Sequence, residues 1–317
     1  MNEEIVNESK SDEQIESLNN EEKNDTVNLP LGEALYIEDT YPITSRAKTK
    51  LIVLAGPAEC GKTTLITTLY QLFHIGPIDE LFFAGSQTIK GFEQRAYHTR
   101  TNSGMNIPNT PRTRLGSLNS FLHLKLWNSA NKNKHTLLLT DFSGEDFKNT
   151  RANVELMRED FSLIMRADSL LILIDGDSIT KIDERHSAIQ FTQELLTTIK
   201  NARILKNNTK IYFVISKEDL VESRCENDPE LKKYVDGIPD KLKNKFNDLK
   251  NEIKFYKVAA MPEDITRLSV GYGINELIKD LIKESEICNN DIFLKQKEFK
   301  SEFNNFYKKI LGGGSFE

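Results

Sequence analysis

Cysteine is scarce in this chain of 317 residues. The three present, Cys60, Cys225 and Cys288, form an odd set without metal-ligand spacing, which excludes a disulfide framework and fits a reducing compartment. Long hydrophobic runs are also missing. The densest, Leu170 to Ile174, is about a quarter of the roughly 20 residues that a membrane helix needs. The first residues, Met1-Asn2-Glu3-Glu4, show neither a basic nor an apolar leader region, so a cytoplasmic location is expected. Net charge is −6, yet residues 1–30 hold nine Asp/Glu and two Lys, a net of −7, which leaves +1 for the other 287. No basic excess exists there to attract a nucleic acid, and nucleic acid is not an expected partner. Five histidines, at 74, 98, 123, 135 and 186, are not spaced as ligands.

What is present is 38% hydrophobic residues with 17 Phe, enough for a sizeable core. Residues 1–30, rich in Glu, Asn, Ser and Asp, read as a disordered acidic arm, either a docking tail or a solvating leader. Residues 31–288 carry the periodic segments. Short apolar runs at Leu51–Leu54, Leu137–Leu139, Leu170–Ile174, Ile211–Ile215 and Ile253–Val258 predict five buried strands. Phe121 to Trp127 alternates like a half-exposed edge strand, and the short polar link Asn128 to Lys134 predicts that it pairs antiparallel with the next.

Helical patterns fill 62–73, 146–166, 181–203, 239–250, 273–285 and 291–310. The expected fold class is therefore α/β: a mainly parallel six-stranded sheet with one antiparallel edge strand and helices on both faces. Residues 75–120 form a long switch-like insert. Residues 289–311 predict an amphipathic helix whose Phe299, Phe303, Phe306 and Ile310 share a face, with Lys295, Lys300, Lys308 and Lys309 around them; it would dock on its own domain, a partner or an anionic membrane. Residues 312–317, with three consecutive glycines, read as a flexible tail.

The strongest signal follows the first strand: Gly56-Pro57-Ala58-Glu59-Cys60-Gly61-Lys62-Thr63-Thr64, then an apolar helix. This is G-x-x-x-x-G-K-[ST] between a strand and a helix, a phosphate-binding loop. Gly56 and Gly61 let the backbone curl so that successive amides face one anion, which the helix N-terminus also favours. Lys62 would neutralise β- and γ-phosphates, and the Thr63 hydroxyl would ligate Mg²⁺. Cys60 reads as a packing residue, and Glu59 as a solvent-facing carboxylate or a group touching the cation. Asp141, at the end of a strand in Thr140-Asp141-Phe142-Ser143-Gly144-Glu145, is placed to hold Mg²⁺, while Gly144 would offer its amide to a γ-phosphate. After Ile211–Ile215 comes Ser216-Lys217-Glu218-Asp219. One carboxylate accepts from both N1–H and N2–H₂ of guanine, whereas adenine presents an acceptor at N1, so Asp219 would select guanine with the Lys217 stem over the base. Ser216 replaces the asparagine of N-K-x-D. Val258-Ala259-Ala260 loosely matches the loop whose amide meets guanine O6.

These elements resemble TRAFAC-class P-loop GTPases over about residues 48–285. The G-P-x-x-x-G-K-T-T-L loop, the segment Phe83 to Arg95 and Thr140 to Glu145 look like the second type of the bacterial double-GTPase family. That resemblance implies a Mg²⁺-dependent GTP-binding and GTP-hydrolysing switch, regulatory in bacterial conflict or antiviral defence and working with a protein partner such as an activator, effector or second GTPase-like protein. Phe142 stands where an additional-strand ATPase would place its water-activating glutamate. Glu145 stands where Ras-like relatives carry a water-orienting glutamine; it is a catalytic candidate or a helix-capping charge. Arg112 or Arg114 would act as an arginine finger in cis, with Arg114 carried as the candidate, or lie on the surface. Spacing does not decide among Thr110, Thr113 and Ser117 as the γ-phosphate sensor; Thr113 is carried as the metal-ligand candidate. Without an inserted arginine, turnover should be slow, about 10⁻⁴ to 10⁻² per second. A pseudo-GTPase scaffold and a P-loop ATPase are the alternatives.

Overall fold

The computed structural model describes residues 32–97 and 120–283. The acidic arm, the amphipathic helix at 289–311, the tail, and Thr110, Arg112, Thr113, Arg114 and Ser117 lie outside the described residues.

Seven strands form one sheet: β1 (Thr49–Ala55), β2 (Leu81–Gly85), β3 (Phe121–Asn128), β4 (Asn133–Thr140), β5 (Ser169–Ile174), β6 (Lys210–Ile215) and β7 (Ile253–Lys257). Their spatial order is β2-β3-β4-β1-β5-β6-β7. β1 pairs in parallel with β4 and β5, β5 with β6, and β6 with β7, while β3 is antiparallel to both β2 and β4. Six strands therefore run one way and β3 alone is reversed, which a short turn to β4 permits and a helical crossover would not.

The α/β class and mainly parallel sheet agree with the expectation, but the count and the edge do not. Leu81–Gly85, inside the presumed switch-like insert, adds a seventh strand outside β3, so Phe121–Asn128 is an interior strand. Only its second half alternates, with Lys125 and Trp127 exposed and Leu126 buried. Trp127 meets Phe82 of β2 with ring centroids 5.7 Å apart. At the far edge, β7 is half-buried rather than buried, because nothing pairs with its outer side among the described residues.

The strands alternate their side chains between two cores, one on each face. Leu51, Val53 and Ala55 of β1 join one with Leu170, Ile172 and Ile174 of β5; Ile52 and Leu54 join the other with Leu171 and Leu173. The second face is covered by α2 (Lys62–Ile75), α3 (Ile89–Ala96) and α11 (Ile274–Ile282), which follow α1 (Ile37–Thr44) and close the described chain. The first is covered by α4 (Gly144–Thr150), α5 (Val154–Asp160), α6 (Gly176–Thr180), α7 (Arg185–Asn201), α8 (Glu218–Cys225), α9 (Pro229–Asp236) and α10 (Ile238–Lys245).

The helix expected over 146–166 is broken. The Asn153 side chain accepts from the Glu155 and Leu156 amides and starts α5 afresh, and a 3₁₀ turn, Ser162–Arg166, leads into β5. That break lets Phe161 stack on Phe147, with centroids 4.3 Å apart.

Candidate functional site

The phosphate loop, Asp141 to Glu145, Ser216 to Asp219 and Ala259–Ala260 all follow the C-terminal ends of parallel strands, where loops leave a sheet that fixes their roots. β1 runs into Gly56, at φ +148°, where a Cβ would meet the Leu173 carbonyl oxygen at 2.8 Å and Cys60 Sγ at 3.0 Å. Gly61, at φ +89°, is the left-handed N-cap of α2. Between these pivots Lys62 is buried and folds back: its Nζ donates to the carbonyls of Gly56 at 3.0 Å and Pro57 at 2.7 Å. Burial pushes the Cys60 thiol up in pKa against the opposing Lys62 charge, so it stays protonated and serves as packing. Glu59 is exposed at φ +61°, and Thr64 sits half-buried in the first turn of α2.

The structure brings Thr63 and Asp141 together: the Thr63 hydroxyl donates to Asp141 Oδ1 at 2.8 Å, and Asp141 is 2% exposed. Thr140 anchors the strand end, its Oγ1 accepting from the Leu54 amide at 3.1 Å. A hydroxyl and a carboxylate are hard oxygen donors, and this pair fits a small divalent cation such as Mg²⁺. The second carboxylate oxygen is also engaged. Arg95 Nε on α3 donates to Asp141 Oδ2 at 2.9 Å. The arginine-finger candidates Arg112 and Arg114 lie nearer β3 in sequence, and the local signal for Arg95 is its place one helical turn after Gly91 in the segment Phe83 to Arg95.

Phe142 turns away into the core, edge-on to Phe147 and Phe161. Ser143 Oγ accepts from the Glu145 amide at 3.3 Å, which caps α4 and sets Gly144 at its first position. A Cβ on Gly144 would collide with the backbone of Pro57 and Ala58, so α4 begins flush against the phosphate loop. Glu145 follows, half-buried in the first turn, where a negative charge suits the helix end.

On the other flank, a Cβ on Gly61 would lie 3.9 Å from the Ser216 side chain, so the loop after β6 touches the phosphate loop. Ser216 is buried, and both its amide and its hydroxyl donate to the Ile174 carbonyl, at 3.0 and 3.3 Å. Lys217 adopts φ +53° and places its ammonium 2.7 Å from Asp175 Oδ1. The Ser216 hydroxyl and the Asp175–Lys217 pair hold this loop to the end of β5. Asp219 Oδ2 accepts from the Glu263 amide at 3.0 Å, tying this loop to the one after β7. There Ala259 donates to the Tyr272 carbonyl at 3.1 Å, and the Gly271 amide donates to the carbonyls of Ala259 and Ala260, each at 3.1 Å. Glu218 is buried against Lys257 at 3.0 Å; burial raises its pKa while the lysine opposes.

A glycine-pivoted loop between a buried strand and a helix, a hydroxyl–carboxylate pair at its mouth and a second carboxylate-bearing loop against its flank define a P-loop nucleotide-binding domain of the GTPase type. The family model described as Double-GTPase 2 matches residues 50–282, and the chain belongs to that family. No curated protein matches it. Among solved structures, bacterial selenocysteine-specific elongation factor EF-Sec is similar at 16% identity, over 74% of this chain and 29% of that one, with a TM-score of 0.34. The chain thus spans less than a third of that longer protein. No helix among the described residues is long and apolar enough to cross a membrane.

Proposed function

We propose that this protein is a Mg²⁺-dependent switch that binds and hydrolyses GTP. The observation that carries the reading is the 2.8 Å approach of the Thr63 hydroxyl to buried Asp141 at the mouth of the phosphate loop. In this reading the loop amides from Gly56 to Thr64, the positive end of α2 and the Lys62 ammonium bind the polyphosphate. Thr63 and Asp141 hold the Mg²⁺, which neutralises developing phosphate charge when bound. The Gly144 amide meets the terminal phosphate. Asp219 accepts from guanine, the Lys217 stem covers the base, and the Ala260 amide approaches its carbonyl edge, the Ala259 amide being already given to the Tyr272 carbonyl. Glu145, at the start of α4, orients the attacking water.

The wider reading, from family resemblance and composition, is a cytoplasmic regulator in a bacterial conflict or antiviral defence system that a protein partner turns over. A second reading, a GTP-holding scaffold with little hydrolysis, is favoured by Glu145, whose carboxylate is repelled by a γ-phosphate. Phosphate release measured with and without a partner separates the two.

The test is a competition titration of GTP against ATP with Mg²⁺, by calorimetry. GTP should be preferred by about 10³-fold or more, as at other sites that hydrogen-bond their substrate's polar edge. Asp219→Asn should lose that preference. An ATP preference, or an Asp219→Asn protein that keeps the wild-type ratio, refutes the base assignment.

A further inference from the structure

Among the described residues, Arg95 is a cation that the structure places on Asp141, and the chain builds a dedicated seat for it. α3 is fixed from two sides. Phe92 stacks on Tyr70 of α2, with centroids 4.5 Å apart and planes 13° from parallel. Gly91 lies under the segment leading into α1: its amide donates to the Gly32 carbonyl at 2.9 Å, and a Cβ there would collide with the Glu33 carbonyl. From that platform the guanidinium spreads over three acceptors. Nε donates to Asp141 Oδ2 at 2.9 Å, and Nη1 donates to the Gly91 carbonyl at 3.1 Å and the Glu33 carbonyl at 3.4 Å. Its side chain is 21% exposed and that of Asp141 3%.

A buried carboxylate needs a partner of opposite charge. With Thr63 on one oxygen and Arg95 on the other, Asp141 has its charge balanced from within the chain. A divalent cation held by the same Thr63 and Asp141 would face a guanidinium within bonding distance of the same carboxylate, and like charges so close repel in a poorly solvated site. The two cations compete.

We propose that Arg95 is an internal counter-cation that sets the Mg²⁺ requirement of the site. The ion binds by releasing Asp141 from Arg95, so loading of the metal loosens α3 and its contact with the Gly32–Glu33 segment. This inference rests on the reading of Thr63 and Asp141 as the Mg²⁺ pair.

The experiment is a Mg²⁺ titration of fluorescent GDP binding in wild-type, Arg95→Gln and Arg95→Lys proteins. Removing a unit charge this close to a divalent ion should lower the Mg²⁺ midpoint of Arg95→Gln by about tenfold or more, while Arg95→Lys, which keeps the charge, stays near wild type. An unchanged or raised midpoint in Arg95→Gln overturns the proposal and makes Arg95 a support for Asp141 instead. A wild-type protein that binds no GDP at saturating Mg²⁺ sinks the nucleotide reading itself, a different result.

A second measurement needs no variant that might misfold in the site. In ¹⁵N spectra of the wild-type protein with GDP and EDTA, the Arg95 Nε–H should give a slowly exchanging resonance that moves or disappears on adding Mg²⁺. A resonance that stays in place overturns the competition.

Discussion

Gly144→Ala probes how closely α4 abuts the phosphate loop. The added methyl carbon, built on the existing backbone, would lie 2.5 Å from Ala58 Cα and still nearer to the Ala58 amide and the Pro57 carbonyl carbon. Carbon–carbon contacts settle at about 3.5–4.0 Å, so the two backbones must part by about 1 Å. Neither side yields cheaply: the loop is fixed by Gly56 under Leu173, and α4 by the Ser143 cap and the Phe142–Phe147 contact.

A donor withdrawn by that distance stretches a bond of about 2.9 Å to about 3.9 Å, beyond hydrogen-bond reach. A lost bond to a charged acceptor costs about 1.5–3 kcal/mol, or about 10- to 100-fold in affinity. Because the Gly144 amide is assigned to the terminal phosphate, GTP should weaken by that factor while GDP changes little. Equilibrium titrations with fluorescent GTP and GDP measure the ratio, with circular dichroism confirming the fold. A folded Gly144→Ala protein with the wild-type GTP-to-GDP ratio would refute the reasoning.

Two further outcomes follow from the same geometry. Lys62→Ala should abolish detectable nucleotide binding, a loss of at least about 100-fold, because no other ammonium is seated in the loop among the described residues; micromolar GTP binding by that variant in calorimetry would contradict the assignment. His123 is 1% exposed, its Nδ1 accepts from the Gln87 amide at 3.0 Å, and burial, helped by the Lys125 charge, pushes its pKa down to about 4. The unfolded imidazole, at about 6.5, binds a proton that the folded one refuses, so this group removes stability as pH falls from about 6.5 towards 4. Urea unfolding should show the wild type losing about 2 kcal/mol more than His123→Gln between pH 7 and 5; equal losses would show that the histidine titrates freely.

The phosphate loop was readable because its chemistry is bound to spacing: two glycines, a lysine and a threonine between a buried strand and an apolar helix admit few other structures. Asp141 was readable for a similar reason, since it ends a run of leucines that can only be a buried strand. Strand β2 was not. Leu81–Gly85 does hold a short apolar run, Leu81 to Ala84, but it is mostly exposed, ends in a glycine and lies within a stretch whose Gly, Pro, Ser and Thr read as a long loop. Helices α8 and α9 are short and charged, although Asp228 capping α9 with Pro229 in its first turn is a start signal that local reading can catch. Arg95 escaped because the distance that matters, from α3 to Asp141, spans 46 residues and depends on a fold in which α3 packs on α2 beside the phosphate loop. Propensity speaks to neighbours in sequence, whereas a guanidinium on a remote carboxylate is a product of topology.

The single tryptophan gives the molecule an optical reporter of its own. Trp127 faces Lys134 across the β3–β4 ladder, six residues from the Phe121–Thr140 rung beside Asp141, or about 20 Å along the strand. It is 37% exposed and leans on Phe82 of the outermost strand. Its emission therefore registers what happens at the β2 margin and is insulated from the loops at the other end. Any macromolecule that covers that margin dries the indole and shifts its fluorescence to the blue, a signal separable from the exchange of one small ligand for another.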